Sequence, residues 1–190
     1  MAASRPRPLG LGWPNLLSAF RVLLVPVLVA LVLVRTRAAD VTASGVFVLG
    51  ALTDGLDGYL ARRWNGSTRT GQWLDPLADK LLVGAPIVTL TALDRFPLWA
   101  AVLIVGRELV VTALRSFLGT RGRSMPASRA AKVKTMLQLV AITMYLLPLT
   151  SAFDAAKVGV LIAAVAMTLA TGFAYVMRAR GELRGAGRPA

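Results

Sequence analysis

Asp54-Gly-Leu-Asp57-Gly58-Tyr-Leu-Ala61-Arg62, eight residues, then Gly71-Gln-Trp-Leu-Asp75-Pro-Leu-Ala-Asp79 is the stretch from which the rest of the chain can be read. The chain has nine acidic residues, and four of them are these aspartates. They sit in or beside apolar runs long enough to cross a membrane. A carboxylate in such a place is costly unless it has a partner, and a divalent cation is the obvious one. Asp54 and Asp57 are three apart, Asp75 and Asp79 four apart, so on helices each pair shares a face. Two such pairs on adjacent antiparallel helices converge on one pocket. Without metal the four carboxylates repel one another. With two divalent ions the charges balance, and a site of that kind polarises a phosphoryl oxygen and steadies a leaving phosphate.

Composition agrees. The 190 residues are 56% apolar with positive mean hydropathy, which places the chain among membrane proteins. No polar segment is long enough for a second soluble domain, so a single domain over 1–190 is expected, with a short N-terminal segment 1–13 and a disordered tail from about 181 to 190. The net charge of +13 would indicate nucleic acid in a soluble protein. Here the basic residues cluster in short connections between apolar runs, where they set topology and meet anionic headgroups. No nucleic-acid partner is expected. There is no cysteine and no histidine, which excludes disulfides, thiolate nucleophiles, a His base and Cys or His metal ligands. Any metal must be held by oxygen, which favours Mg2+, Mn2+ or Ca2+.

The expected fold is all-α, a polytopic bundle of six transmembrane helices at about 14–35, 41–62, 75–93, 97–118, 129–149 and 156–177, each near the roughly 20 residues needed to cross a bilayer. Arg5 and Arg7 before an apolar run resemble a signal peptide. The run from Leu16 to Val34 is too long for one, and Arg35-Thr-Arg37 is a poor cleavage site, so it reads as an uncleaved first span. Trp64-Asn-Gly-Ser-Thr68 reads as a turn. With both termini cytoplasmic, fourteen Lys and Arg residues fall inside and four outside, a clear positive-inside bias. This orientation puts Asp57 about 8 Å, Asp54 about 12 Å and Asp79 about 6 Å from the cytoplasmic helix ends. All four carboxylates thus reach one depth. Arginine outnumbers lysine 18 to 4, the usage of a GC-rich bacterial genome, so a bacterial inner or plasma membrane is expected.

The spacing D-x2-D-G-x2-A-R-x8-G-x3-D-x3-D resembles the signature of the CDP-alcohol phosphatidyltransferases. All eight fixed positions match, and a chance match at one start point has a probability on the order of one in a billion at average residue frequencies. The resemblance implies two metals, Mg2+ or Mn2+, on the four aspartates. Asp54 and Asp75 would bridge both, Asp57 would bind the first and Asp79 the second. An acceptor hydroxyl would attack the β-phosphorus of CDP-diacylglycerol, Asp79 would take its proton, and CMP would leave. Gly58, Arg62, Thr68, Asn15 and Gly71 would contact the CDP-diacylglycerol. A homodimer is expected from the family alone. Physically, Gly58 permits close approach of a nucleotide to the helix, and the Arg62 fork suits a phosphate or base edge. Gly55 reads as helix packing.

Pro14-Asn15-Leu-Leu-Ser-Ala-Phe-Arg21, Ala61-Arg-Arg-Trp-Asn-Gly-Ser-Thr68, Gly106-Arg-Glu-Leu109 and Lys132-Val-Lys-Thr-Met136 are most similar to the bacterial members that use glycerol 3-phosphate as acceptor. That acceptor is a dianion and needs fixed cations. Arg107 and Arg115 are eight apart, on roughly one face of the fourth span, and Lys132 and Lys134 enter the fifth from the same side. Buried arginine suits phosphate because it is always charged and bidentate. Glu108 is placed to orient one of the arginines. The bland reading of Arg115, Lys132 and Lys134 is snorkelling or topology. For Arg21 the donor pyrophosphate, the acceptor and a buried pair all stay open. The same chemistry with phosphatidylglycerol, inositol phosphate or serine as acceptor is the first alternative. A divalent-cation transporter and a basic membrane adaptor are alternatives of other classes.

Overall fold

The computed structural model describes residues 13–64, 71–120 and 129–185, and within them the side chains of 17–53, 55, 76–120 and 130–181. Six α-helices follow one another: α1 Trp13–Val34, α2 Arg37–Trp64, α3 Gly71–Ala92, α4 Leu98–Thr120, α5 Arg129–Leu146 and α6 Asp154–Gly185, with a short 3-10 turn Ser151–Phe153 before α6. No strand occurs among the described residues. Residues 65–70, which hold most of the expected turn and Thr68, lie outside the described residues.

The breaks have local causes. Between α1 and α2, Arg35 takes a left-handed φ of 57°, and the Thr36 hydroxyl accepts from the Ala39 amide at 3.2 Å, capping α2. Asp40 in the first turn of α2 complements the helix dipole. At the end of α3 the Arg95 amide donates to the Leu90 carbonyl at 2.8 Å and the Asp94 amide to Thr91 at 3.1 Å, with Asp94 at φ 57°. That is a Schellman cap with an aspartate in the position usually held by glycine. Helix α5 stops at Leu146, earlier than the expected 149, because Pro148 disfavours helical backbone at the residue before it. Helix α6 runs through Gly181 to Gly185, so it covers part of the segment expected as a tail.

Packing divides the chain into two compact units, Met1–Pro86 and Ile87–Ala190. The division falls inside α3 at Pro86, whose missing N–H interrupts the helical ladder. In the first unit α1 packs on α2 through Leu28, Val32, Ala39, Ala43 and Phe47, all buried. In the second, α6 packs against both α4 and α5, around Ile104, Val111, Leu118, Ile142, Leu161 and Ala164.

The surface is apolar. Leu23, Leu52, Val88, Val102, Met136 and Phe173, one from each helix in order, are 59–70% exposed. A water-soluble domain rarely leaves so many large apolar side chains uncovered. Among the described residues two helices satisfy length and apolarity for a span, Leu17–Val34 and Ser151–Gly181. The other four carry charged or strongly polar residues within their length.

Glycine packing brings α2 to α3. A Cβ at Gly50 would fall 2.8 Å from Leu82 Cδ1, whereas one at Gly45 would meet nothing within 4 Å. Gly45→Ala is therefore expected to raise the thermal midpoint in detergent, by about 0.5–1 kcal/mol of helix stability. Gly50→Leu is expected to lower it, by about 1–3 kcal/mol of overpacking. Equal midpoints for the two variants would contradict the close α2–α3 approach.

Candidate active site

Helix α2 runs unbroken through positions 54, 57, 58 and 62, and α3 through 71, 75 and 79. Asp54 and Asp57 are thus one turn apart on one helix, as are Asp75 and Asp79 on the other. Leu82 of α3 lies against Gly50 of α2. Gly50 lies four residues before Asp54, and Leu82 three residues after Asp79. Asp79 is half-buried, next to the fully buried Ala78. The side chains of Asn15, Asp54, Asp57, Gly58, Arg62, Gly71 and Asp75 lie outside those described, as does residue 68 altogether. Among the described residues no group of three acids is gathered. The donor set at these positions is carboxylate oxygen only, which fits hard divalent cations.

A second polar cluster lies inside the second unit, among α4, α5 and α6. Arg107 Nε donates to the Thr168 carbonyl at 3.2 Å, and its Nη2 donates to Thr171 Oγ1 at 3.0 Å. Its Nη1 donates to Glu108 Oε1 at 3.1 Å. The same Glu108 oxygen accepts from Lys134 Nζ of α5. Gln138, one turn after Lys134, donates to Thr168 Oγ1 at 2.9 Å, and that hydroxyl bonds back to the Ala164 carbonyl. Arg107 and Lys134 expose only 12% and 8% of their side chains, and Glu108 26%. Two buried cations thus share one carboxylate, and the cluster keeps a positive charge. A guanidinium has five N–H donors, of which three are engaged, so one remains on each terminal nitrogen.

The other two predicted acceptor cations are placed differently. Arg115 is exposed, with its guanidinium 5.6 Å from the centroid of the Tyr175 ring on α6, within cation–π range. Arg107 and Arg115 therefore do share a face of α4, the one toward α6. Lys132 is exposed. Two residues apart on a helix means opposite sides, so α5 turns Lys134 inward and Lys132 away from it. Arg21, whose role was open, is fully buried on α1 one turn after the buried Ser18.

The sequence model of the CDP-alcohol phosphatidyltransferase family matches residues 11–174. The chain belongs to the CDP-alcohol phosphatidyltransferase family. A Mycobacterium tuberculosis (strain H37Rv) protein named "Probable phosphatidylglycerophosphate synthase" is 40% identical over 174 residues, 90% of this chain and 83% of that protein. A Salmonella choleraesuis protein named CDP-diacylglycerol–glycerol-3-phosphate 3-phosphatidyltransferase is 36% identical over 176 residues, 90% of this chain and 96% of its own. A Rickettsia felis protein of the same name is 36% identical over 166 residues, covering 85% and 92%.

For this CDP-alcohol phosphatidyltransferase, an all-helical membrane protein, the family motif accounts for α2 and α3 but not for α6. Thr168, Thr171, Gly172 and Tyr175 serve the two α4 arginines and were not singled out from the sequence. A signal was present. Two threonines and a glycine at spacings of three and one interrupt an otherwise apolar helix, and a hydroxyl or a gap in such a helix usually has a neighbour to serve. Gln138 was legible in the same way, four residues after Lys134 on the same face.

Proposed function

We propose that this chain transfers the phosphatidyl group of CDP-diacylglycerol to sn-glycerol 3-phosphate, giving phosphatidylglycerophosphate and CMP. The observation that carries a phosphate-bearing acceptor is the Arg107–Glu108–Lys134 cluster, two largely buried cations on one carboxylate, and the names of the relatives favour glycerol 3-phosphate among such acceptors. An acceptor bearing a phosphate dianion balances it. Serine would not, because its own ammonium would face the cluster. The activity named for the relatives supports the same choice.

In this reading the enzyme crosses a bacterial inner membrane six times, with both termini and the site on the cytoplasmic face. The helix bounds and the exposed apolar side chains on all six helices support the span count. Asp54, Asp57, Asp75 and Asp79 would hold two divalent cations, Mg2+ or Mn2+, which would polarise the phosphoryl oxygens of the donor. Gly58, Arg62, Thr68, Asn15 and Gly71 contact the CDP-diacylglycerol. Arg107 and Lys134 bind the acceptor phosphate, with Arg115 and Lys132 as further cations on the same helices. The Asp79 carboxylate accepts the proton of the acceptor hydroxyl, whose oxygen forms a bond to the β-phosphorus as the bond to CMP breaks. A carboxylate is the base available, since the chain has no histidine or cysteine. A homodimer completes the proposal.

Purified protein in detergent micelles, given CDP-diacylglycerol, Mg2+ and labelled glycerol 3-phosphate, is expected to yield a lipid-soluble label and an equal amount of CMP. Label from phosphatidylglycerol, inositol phosphate or serine instead would replace the acceptor. Metal flux into proteoliposomes with no CMP formation would replace the reaction class.

A further inference from the structure

We propose that Gly172 on α6 is a positioning residue of the acceptor site, present so that the Arg107 side chain can lie across α6 with its guanidinium fixed. The proposal rests on the reading that Arg107 holds the acceptor phosphate. A Cβ at Gly172 would fall 3.0 Å from Arg107 Cγ, 3.1 Å from Nε and 3.7 Å from Cδ. Three successive atoms of the arginine stem therefore pass over the glycine. The crowding is at the stem, not at a free tip. Relief by a small rotation at the end of the chain is not possible, because Nε itself is one of the crowded atoms. Nε is also the atom bonded to the Thr168 carbonyl, and Nη2 beside it bonds Thr171 Oγ1.

One edge of the guanidinium is thus anchored to α6 by Thr168 and Thr171, in the turn that precedes Gly172. This leaves one N–H on each terminal nitrogen at a fixed orientation. A methyl at 172 lifts that edge from its acceptors and turns the remaining donors with it. Among the described glycines, Gly172 is the one that underlies a charged side chain. Gly50 faces the tips of Leu82, and the others face open space. If Gly172 served helix packing alone, its neighbour would be an apolar side chain or another backbone, as in small-residue contacts between spans.

The test compares full-length wild type, Gly172→Ala, Arg107→Ala and the double variant, with glycerol 3-phosphate and CDP-diacylglycerol titrated separately. Alanine favours helix, so folding of Gly172→Ala is not opposed by propensity. Its KM for glycerol 3-phosphate is expected to rise about tenfold, the scale of a small misplacement of a binding group. Its kcat and its KM for CDP-diacylglycerol are expected to stay within about twofold, since the donor and metal ligands are elsewhere in the chain. The double variant is expected to match Arg107→Ala alone, because a residue that acts through Arg107 has nothing left to act on. Thr171→Val removes the Nη2 acceptor without adding volume at 172, and is expected to move the same constant in the same direction. Gly159→Ala, on the same helix and facing open space, serves as the folded control. An unchanged acceptor KM in Gly172→Ala or in Thr171→Val overturns the proposal, and so does full additivity in the double variant. If Arg107→Ala itself leaves the acceptor KM unchanged, the acceptor reading falls, and this proposal with it. If Arg107→Ala raises it and Gly172→Ala does not, only this proposal falls.

Discussion

Asp75→Asn is expected to abolish turnover, lowering CMP release by about a thousandfold or more at saturating substrates, the scale seen when a group aimed at transition-state charge is removed. The substitution keeps size and shape and removes one negative charge. Two divalent cations carry four positive charges, and the four aspartates match them. In the proposed two-metal site, three carboxylates would leave it one charge short, and hard cations discriminate strongly for anionic oxygen. Asp79→Asn is expected to be as severe, since it removes both a ligand and the proton acceptor, the latter alone being worth about 10²–10⁴. The measurement is CMP release across a Mg2+ titration. Asp57→Asn, assigned to one ion only, should be partly restored by higher Mg2+, whereas Asp75→Asn should not. A fully active Asp75→Asn protein would sink the assignment of the aspartates.

Arg107→Ala is expected to raise the KM for glycerol 3-phosphate about thirtyfold, which corresponds to about 2 kcal/mol for a charge-assisted, two-pronged hydrogen bond. The argument is one of remaining charge. With Arg107 present the cluster holds two cations and Glu108. Without it one of the two cations on Glu108 is gone, and the pocket's attraction for a dianion falls. Arg107→Lys keeps the charge but loses the fork and the bond from Nε, so an intermediate effect is expected. The KM for CDP-diacylglycerol should be unaffected by either change. If the donor KM rises and the acceptor KM does not, the cluster belongs to the donor.

Much of this was legible along the chain because it is local. The aspartate pairs are separated by three and four residues, and any helix puts such residues on one face. The boundaries of α2, α3 and α5 have local causes as well, in Thr36, the Leu90–Arg95 cap and Pro148, but these went unread: α2 starts at Arg37 rather than 41, and α5 stops at Leu146 rather than 149. Arg107 and Arg115 were legible as a pair because both lie on one helix. Lys132 and Lys134 show the limit. As residues two apart in a basic segment they look equivalent, yet α5 buries one on Glu108 and leaves the other exposed.

What the sequence by itself determined is the set of helices, the membrane class and the aspartate motif, with the family that the motif implies. These depend on periodicity, composition and short spacing, all of which are properties of neighbours. What only the tertiary structure decided is the partnership of Arg107 with Thr168 and Thr171, of Glu108 with Lys134, and of the Arg107 stem with Gly172. Those pairs are 26 to 65 residues apart on different helices. Each requires a particular rotation of one helix about its axis against another. That rotation is set by the joint packing of all the side chains between them, which no single stretch of sequence specifies.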